Sequence, residues 1–202
     1  MARKFSDEKL VLASHNQGKL AEFAHLFRPH GIEILSAGEL GLPEPEETGA
    51  TFEDNAILKA LAAAKAANMP ALADDSGLAA AALNGAPGVH SARWAGPERD
   101  FTAAMQRLED ELIAAGNHDR SAAFVCVLAL AWPDGHVETV RGEAKGRLVW
   151  PPRGEGGFGY DPVFMPVGRT KTFAEMKPED KKEISHRAEA FERLVKTCIA
   201  SA

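Results

Sequence analysis

Cysteine is scarce in this chain: Cys126 and Cys198 are the only two in 202 residues. Two cysteines make no disulfide framework. Cys126 lies in Phe124-Val125-Cys126-Val127-Leu128 and Cys198 fits the apolar face of the last helix, so both read as small buried hydrophobes. Long apolar runs are missing as well, none approaching the ~18 residues of a membrane span. Met1-Ala2-Arg3-Lys4-Phe5 leads into charged residues, unlike a signal peptide, and the expectation is a soluble, cytoplasmic protein. Basic charge is in deficit, with 23 Lys and Arg against 29 Asp and Glu and a formal net charge of −6. A nucleic-acid polymer, bound mainly by neutralising its phosphates, is therefore not the expected partner, although a small anion held by a local basic patch is compatible. No His or Cys pair has zinc spacing and no H-E-x-x-H occurs. Without a Gly-x-Ser-x-Gly elbow, a serine nucleophile is not expected. Low-complexity blocks are absent too, and the 45% hydrophobic composition suits one domain spanning residues 1–202.

What is present is a set of polar loops between apolar segments. The most telling is Leu72-Ala73-Asp74-Asp75-Ser76-Gly77-Leu78. Read as a short strand ending at residue 73, it places two adjacent carboxylates at a sheet edge, where open α/β folds keep ligand crevices. Adjacent carboxylates repel unless positive charge lies beside them, and a hard divalent cation is the usual answer. Asp-Ser-Gly also suits an ordinary turn.

Upstream, residues 9–13 form an apolar strand, followed by Ser14-His15-Asn16-Gln17-Gly18-Lys19. Leu20, Phe23, Leu26 and Phe27 then recur at helical spacing. A strand, a polar loop and a helix start make a natural anion site, to which Lys19 adds a full charge. It is not a Walker A loop, since Ala13 and Leu20 occupy positions that need Gly and Ser or Thr. A plain strand-to-helix connection fits the same pattern. A second strand is expected over 31–36. The acidic pair Glu46-Glu47 lies in loop before a helix that Thr51 and Asp54 open as a capping box. The pair could reach a metal, or simply favour the helix N-terminus. Residues 122–132, Pro133-Asp134-Gly135 and 137–149 predict a hairpin, and hence a mixed sheet.

Gly154, Gly156 and Gly159 satisfy G-x-G-x-x-G, but Pro151-Pro152 before them and Pro162 after them exclude the strand and helix that a dinucleotide loop needs. A flexible loop that buries Phe158 and Tyr160, with rings able to stack on a planar ligand, is expected instead, alongside a surface Ω-loop reading. Near the C-terminus, Ser185 is expected to cap a helix with His186 and Arg187 in its first turn, where cations oppose the dipole. An anion shared with Lys181 would explain them better than a solvated charge run. Two acidic clusters, two basic helix starts and an aromatic glycine loop together suit a magnesium–nucleotide complex.

With these motifs in order, the chain resembles the inosine-triphosphate pyrophosphatase family along nearly its whole length. The marks are Ser14-His15-Asn16-Gln17-Gly18-Lys19 with Glu22, Glu46-Glu47-Thr48-Gly49-Ala50-Thr51-Phe52 with Asn55-Ala56, and Ala73-Asp74-Asp75-Ser76-Gly77-Leu78. Gly85-Ala86-Pro87-Gly88-Val89, Ser91-Ala92-Arg93, Gly156-Gly157-Phe158-Gly159-Tyr160-Asp161-Pro162 and Ser185-His186-Arg187 complete them. Ser14 stands where Thr is usual and His90 where Tyr is frequent. The resemblance implies an elongated mixed α/β sheet flanked by helices, in two lobes with a central cleft, and a homodimer. It implies Mg2+-dependent hydrolysis of ITP, dITP and XTP to the monophosphate and pyrophosphate by attack of water on the α-phosphorus. Asp75 would be general base and metal ligand, with Glu46 as second carboxylate and Glu47 in reserve. Ser14, His15, Asn16, Gln17, Gly18, Lys19 and Ser76 would hold the triphosphate. Phe158, Gly159, Tyr160, Asp161, Lys181, His186 and Arg187 would hold and select the base. The alternatives are a related pyrophosphatase for pyrimidine or modified triphosphates, and a catalytically silent nucleotide-binding module.

Overall fold

The computed structural model describes residues 2–199, apart from the Gln17 side chain. Six strands among these residues, β1 (Lys9–Leu12), β2 (Glu33–Ser36), β3 (Ala71–Ala80), β4 (Ser121–Ala131), β5 (Val137–Leu148) and β6 (Phe164–Pro166), form one sheet in the order β2-β1-β3-β4-β5-β6. Six α-helices accompany it: α1 (Gln17–Phe27), α2 (Phe52–Ala67), α3 (Ser91–Trp94), α4 (Phe101–Ala114), α5 (Pro178–Glu183) and α6 (His186–Cys198). β1 runs parallel to β2 and β3, while β5 and β6 are antiparallel. The mixed α/β sheet expected from the sequence is borne out.

Local chemistry sets the element ends. Thr51 Oγ1 accepts from Asp54 N and Asp54 returns the bond to Thr51 N, so α2 opens on the expected capping box. α2 stops at Asn68 in the left-handed conformation (φ 50°), which Asn tolerates better than most residues. Asp134 accepts from His136 N at 3.0 Å and Gly135 takes φ 89°, turning β4 into β5 where Pro133-Asp134-Gly135 indicated. No helix among the described residues is long and apolar enough to cross a membrane.

Residue contacts fall into two units: Met1–Asp75 with Val127–Arg141 and Ala190–Ala202, and Ser76–Cys126 with Gly142–Glu189. The first has a core of Leu10, Val11, Leu12, Phe23, Phe27, Ala56, Ala60 and Leu72, with Phe191 meeting Phe27 edge-on at 5.0 Å. The second centres on Leu78, Met105, Leu108, Phe124, Phe164 and Phe173. Full burial of each large side chain contributes roughly 1.5–3 kcal/mol.

β3 overturns one expectation. It does not stop at residue 73 but runs on to Ala80, so Asp74-Asp75-Ser76-Gly77 is neither a turn nor a sheet edge. It lies within a strand that occupies the third place of six. Asp is a poor strand former; here the charged groups packed on the carboxylates outweigh local preference.

Candidate active site

Asp74 and Asp75 are only 2% and 7% exposed. Burying an ionised carboxylate is unfavourable unless it is paired and hydrogen-bonded. Successive strand residues point to opposite faces, and the two carboxylates are answered by different helices. Asp74 receives Lys19 Nζ of α1 at 2.9 Å. Asp75 accepts from Asn55 Nδ2 of α2 at 3.2 Å and lies 3.7 Å from Lys59 Nζ, one helical turn further on. The Lys59 ammonium also donates to Glu47 Oε1 at 2.5 Å. A lysine thus stands between two carboxylates that come from a strand and a loop.

Asn55 has a second task, accepting from Gly49 N at 2.8 Å. A Cβ at Gly49 would meet Asn55 Oδ1 at 2.6 Å, so glycine is required where the acidic loop turns into α2. The same turn brings Glu47 inward and leaves Glu46 exposed. Of the two glutamates, Glu47 is the one that reaches Lys59 and so joins the Asp75 cluster.

Burial lifts the Asp75 carboxyl, Lys59 opposes it, Glu47 adds to the rise, Asn55 opposes it and Asp74 adds again; the result is a pKa pushed up to about 6. For Lys59, burial alone would lower the pKa. The carboxylates of Asp75, Glu47 and Asp74 outweigh it and hold the ammonium above its usual value. Asp75 is therefore a carboxylate poised near neutrality, suited to taking a proton.

The loop before α1 is more internally bonded than the anion-site reading assumed. Ser14 Oγ accepts from Asn16 N at 3.1 Å, and Asn16 Oδ1 accepts from Gly18 N and Lys19 N at 2.9 and 3.2 Å, capping α1. His15 donates from Nε2 to the Leu42 carbonyl at 3.1 Å and lies 3.4 Å from Glu44. Lys19 is the residue of this segment that reaches the acidic cluster. The side chain of Gln17 lies outside the described residues.

In the second unit, Asp161 is 2% exposed and accepts from Phe158 N at 2.8 Å and from Lys181 Nζ. Burial, the leading influence, pushes the Asp161 carboxyl up against the opposing pull of Lys181, the Phe158 amide and Arg187. Gly157, at φ 73°, would carry a Cβ only 2.1 Å from Asp161 Oδ2; the glycine is the condition for this bonding. The Lys181 ammonium lies 4.3 Å from the Phe158 ring centroid and 5.3 Å from that of Phe173. The expectation that both loop aromatics are buried is half right. Phe158 is 66% exposed, whereas Tyr160 is 2% exposed, meets Phe101 edge-on at 5.5 Å and donates to the Ser91 carbonyl at 2.9 Å. Phe158 is the ring free to meet a planar ligand, and Tyr160 is an anchor. No regular helix follows the glycines, only a 3-10 turn at Asp161–Val163, as the dinucleotide exclusion required.

Ser185 Oγ accepts from Ala188 N at 3.1 Å, the expected cap. His186 and Arg187 are buried at 6% and 7% exposure, and the imidazole stacks on Phe124 at 5.1 Å. These two side chains are not a solvated charge run. Ser76, half-buried, follows Asp75 on β3.

Sequence reasoning missed Lys59 as a site residue and used Asn55 only as a motif mark. The signal was present: Asn55 and Lys59, four apart, share the buried side of α2 with Ala56, Ala60 and Ala63. A lysine on an alanine-lined core face calls for a buried counter-charge.

The fold is of the mixed α/β class, with a buried lysine–carboxylate cluster in its first unit and a glycine-rich loop with an exposed ring in its second. The sequence model of the Ham1 family matches residues 10–197, and the chain belongs to that family. It is 60% identical over 200 residues to the dITP/XTP pyrophosphatase of Rhodospirillum centenum, covering 98% of each chain. Identity to the dITP/XTP pyrophosphatase of Rhodopseudomonas palustris is 56% over 202 residues, covering 95% of this chain and 96% of the other. The solved HAM1 protein from Coxiella burnetii superposes with a TM-score of 0.90 at 45% identity, covering 94% of this chain and 98% of that one. These findings bear out the family resemblance drawn from the motifs.

Proposed function

We propose that this chain hydrolyses the non-standard purine nucleoside triphosphates ITP, dITP and XTP to the nucleoside monophosphate and pyrophosphate. The observation that carries the reading is the buried Asp75–Lys59–Glu47 cluster, whose carboxyl is tuned to about 6 in a chain 60% identical to a dITP/XTP pyrophosphatase.

The donor set fits magnesium. Asp75 and Glu47 would supply hard oxygen ligands, and the ammonium lodged between them supports a site that calls for positive charge. Asp75 and Glu47 would hold the ion, which when bound neutralises phosphate charge and polarises the reacting phosphoryl group. Asp75 accepts the proton of the attacking water as it adds to the α-phosphorus, with pyrophosphate leaving. Asn55 and Lys59 keep that carboxylate oriented. Lys19, on exchanging Asp74 for the triphosphate, offsets the charge that builds on the leaving group. Phe158 gives the base a stacking face, and Lys181, His186 and Arg187 present donors to a 6-oxo group. An adenine amino group would leave those donors unpaired, which opposes ATP strongly. The family resemblance adds a cytoplasmic homodimer, for which light scattering should return twice the 21.6 kDa of one chain.

Pyrophosphate release with magnesium across ITP, dITP, XTP, ATP, GTP and dTTP tests the reading. Strong release from the first three and little from ATP and dTTP is expected, while GTP, which shares the 6-oxo group, shows whether the 2-amino group is refused as well. A flat profile would remove base selection, orthophosphate as product would move the attack off the α-phosphorus, and dTTP as best substrate would favour a pyrimidine pyrophosphatase. ITP binding without release would leave a silent binding module.

The inward turn of Glu47 makes a separate prediction. Glu47→Gln should raise the magnesium concentration for half-maximal rate by about tenfold or more, and Glu46→Gln by much less. Equal effects would show that Glu47 has no special claim on the metal.

A further inference from the structure

Ser91 takes no part in the chemistry above, yet it is 6% exposed and joins three separate segments. Its hydroxyl accepts from Leu78 N on β3 at 2.9 Å and donates to the Gly88 carbonyl at 2.7 Å. Its own carbonyl accepts the Tyr160 hydroxyl at 2.9 Å. Next to Tyr160, Asp161 binds the Phe158 amide and the Lys181 ammonium. A path of hydrogen bonds, buried from Leu78 through Ser91 to Tyr160 and part-buried at Asp161, thus leads from β3 to the exposed ring of the loop and the ammonium beneath it.

We propose that Ser91 is a positioning residue for purine discrimination, setting through Tyr160 where Phe158 and Lys181 stand. The inference rests on the function proposed above and adds to it a residue that touches no substrate. Two physical arguments support it. The loop contains Gly154, Gly156, Gly157 and Gly159 within six residues, and glycines order at a higher entropic cost than other residues, so its register depends on anchors. Phenylalanine would fill the Tyr160 pocket as well as tyrosine does, but a buried hydroxyl is unfavourable without a partner. The hydroxyl therefore contributes registration rather than bulk, through its bond to the Ser91 carbonyl. The burial that makes this bond possible also pushes the phenol up to about 12, keeping it a donor.

Tyr160→Phe, which preserves volume, and Ser91→Ala, which removes the tie to β3, form the test. Each is expected to speed backbone hydrogen exchange over residues 156–161 by about 3- to 10-fold, the range set by one buried hydrogen bond, with residues 122–128 unchanged. Each should raise KM for ITP by a similar factor and lower the ITP-over-ATP preference, with kcat falling less than KM rises. The double variant should lose little more than either single one, because both act through one path. Exchange unchanged over 156–161 overturns the proposal, as does exchange raised equally in β4, which would reduce Ser91 to general core stability. Failure of the unsubstituted protein to release pyrophosphate from ITP would instead overturn the function. Exchange would still decide whether Ser91 orders the loop.

Discussion

Asp75→Asn is expected to abolish turnover while making the metal-free protein more stable. Asparagine matches the protonated acid in shape, and its carbonyl can still accept from Asn55 Nδ2, which meets Asp75 Oδ2 at 3.2 Å. It cannot take a proton from water, so the rate should fall about 10²–10⁴-fold, the usual contribution of a general base. Substrate affinity should change far less. The stability gain follows from linkage. Folding lifts this carboxyl from 3.8 to about 6, so between those values the folded state keeps a proton that the unfolded state has released. That contribution is fully present below about pH 4 and is lost as pH rises through 6. At neutral pH the ionised, buried group therefore costs about 2–3 kcal/mol, and removing the charge should raise Tm by roughly 5 °C or more. Thermal melts without metal at pH 7 and pH 4 check this: a gain at pH 7 that vanishes at pH 4 is expected. A loss at both would mean that Asp75 stabilises the fold, and full turnover would remove it from the chemistry.

Lys59→Met separates the charge on Asp75 from its presence. Lysine is the foremost influence opposing the burial-driven rise of the Asp75 carboxyl, so deleting the ammonium should push that carboxyl above about 6. The acid would then be largely protonated at pH 7 and unable to act as base. The rate at pH 7 should fall about tenfold or more and recover as pH rises, because deprotonation restores the carboxylate. Asp75→Asn, by contrast, should stay silent at every pH. The loss of stability should stay moderate. A buried carboxylate that loses its partner protonates, and protonating an acid of unfolded pKa 3.8 at pH 7 costs about 4 kcal/mol in total, most of it already present. The pH dependence of kcat/KM at subsaturating magnesium gives the answer, because a bound cation would itself hold the Asp75 carboxyl down. An acid limb in the same place as in the unsubstituted protein would show that Lys59 does not set the Asp75 proton affinity.

Several elements were legible because their causes are local. The Thr51–Asp54 capping box, the Pro133-Asp134-Gly135 hairpin, the Ser185 cap and the exclusion of a dinucleotide loop at Gly154-Gly159 all depend on residues within a few positions of one another. Capping, turn geometry and proline stereochemistry act over that range. Asp74-Asp75-Ser76-Gly77 was misread as a turn or strand end because the local preference of Asp and Gly was the only information in the segment. What makes it a strand interior are Lys19 and Lys59, 55 and 16 residues away in the chain.

The sequence by itself determined the α/β class and the family, through motifs whose spacing survives without coordinates. The tertiary structure alone decided that Glu47 rather than Glu46 joins the cluster, that Lys59 lies between two acids, and that Phe158 is exposed while Tyr160 is an anchor. Adjacent glutamates and near-adjacent aromatics are equivalent in composition and periodicity. Only the direction in which the folded backbone points each side chain, and the dielectric and charge it meets there, tells them apart.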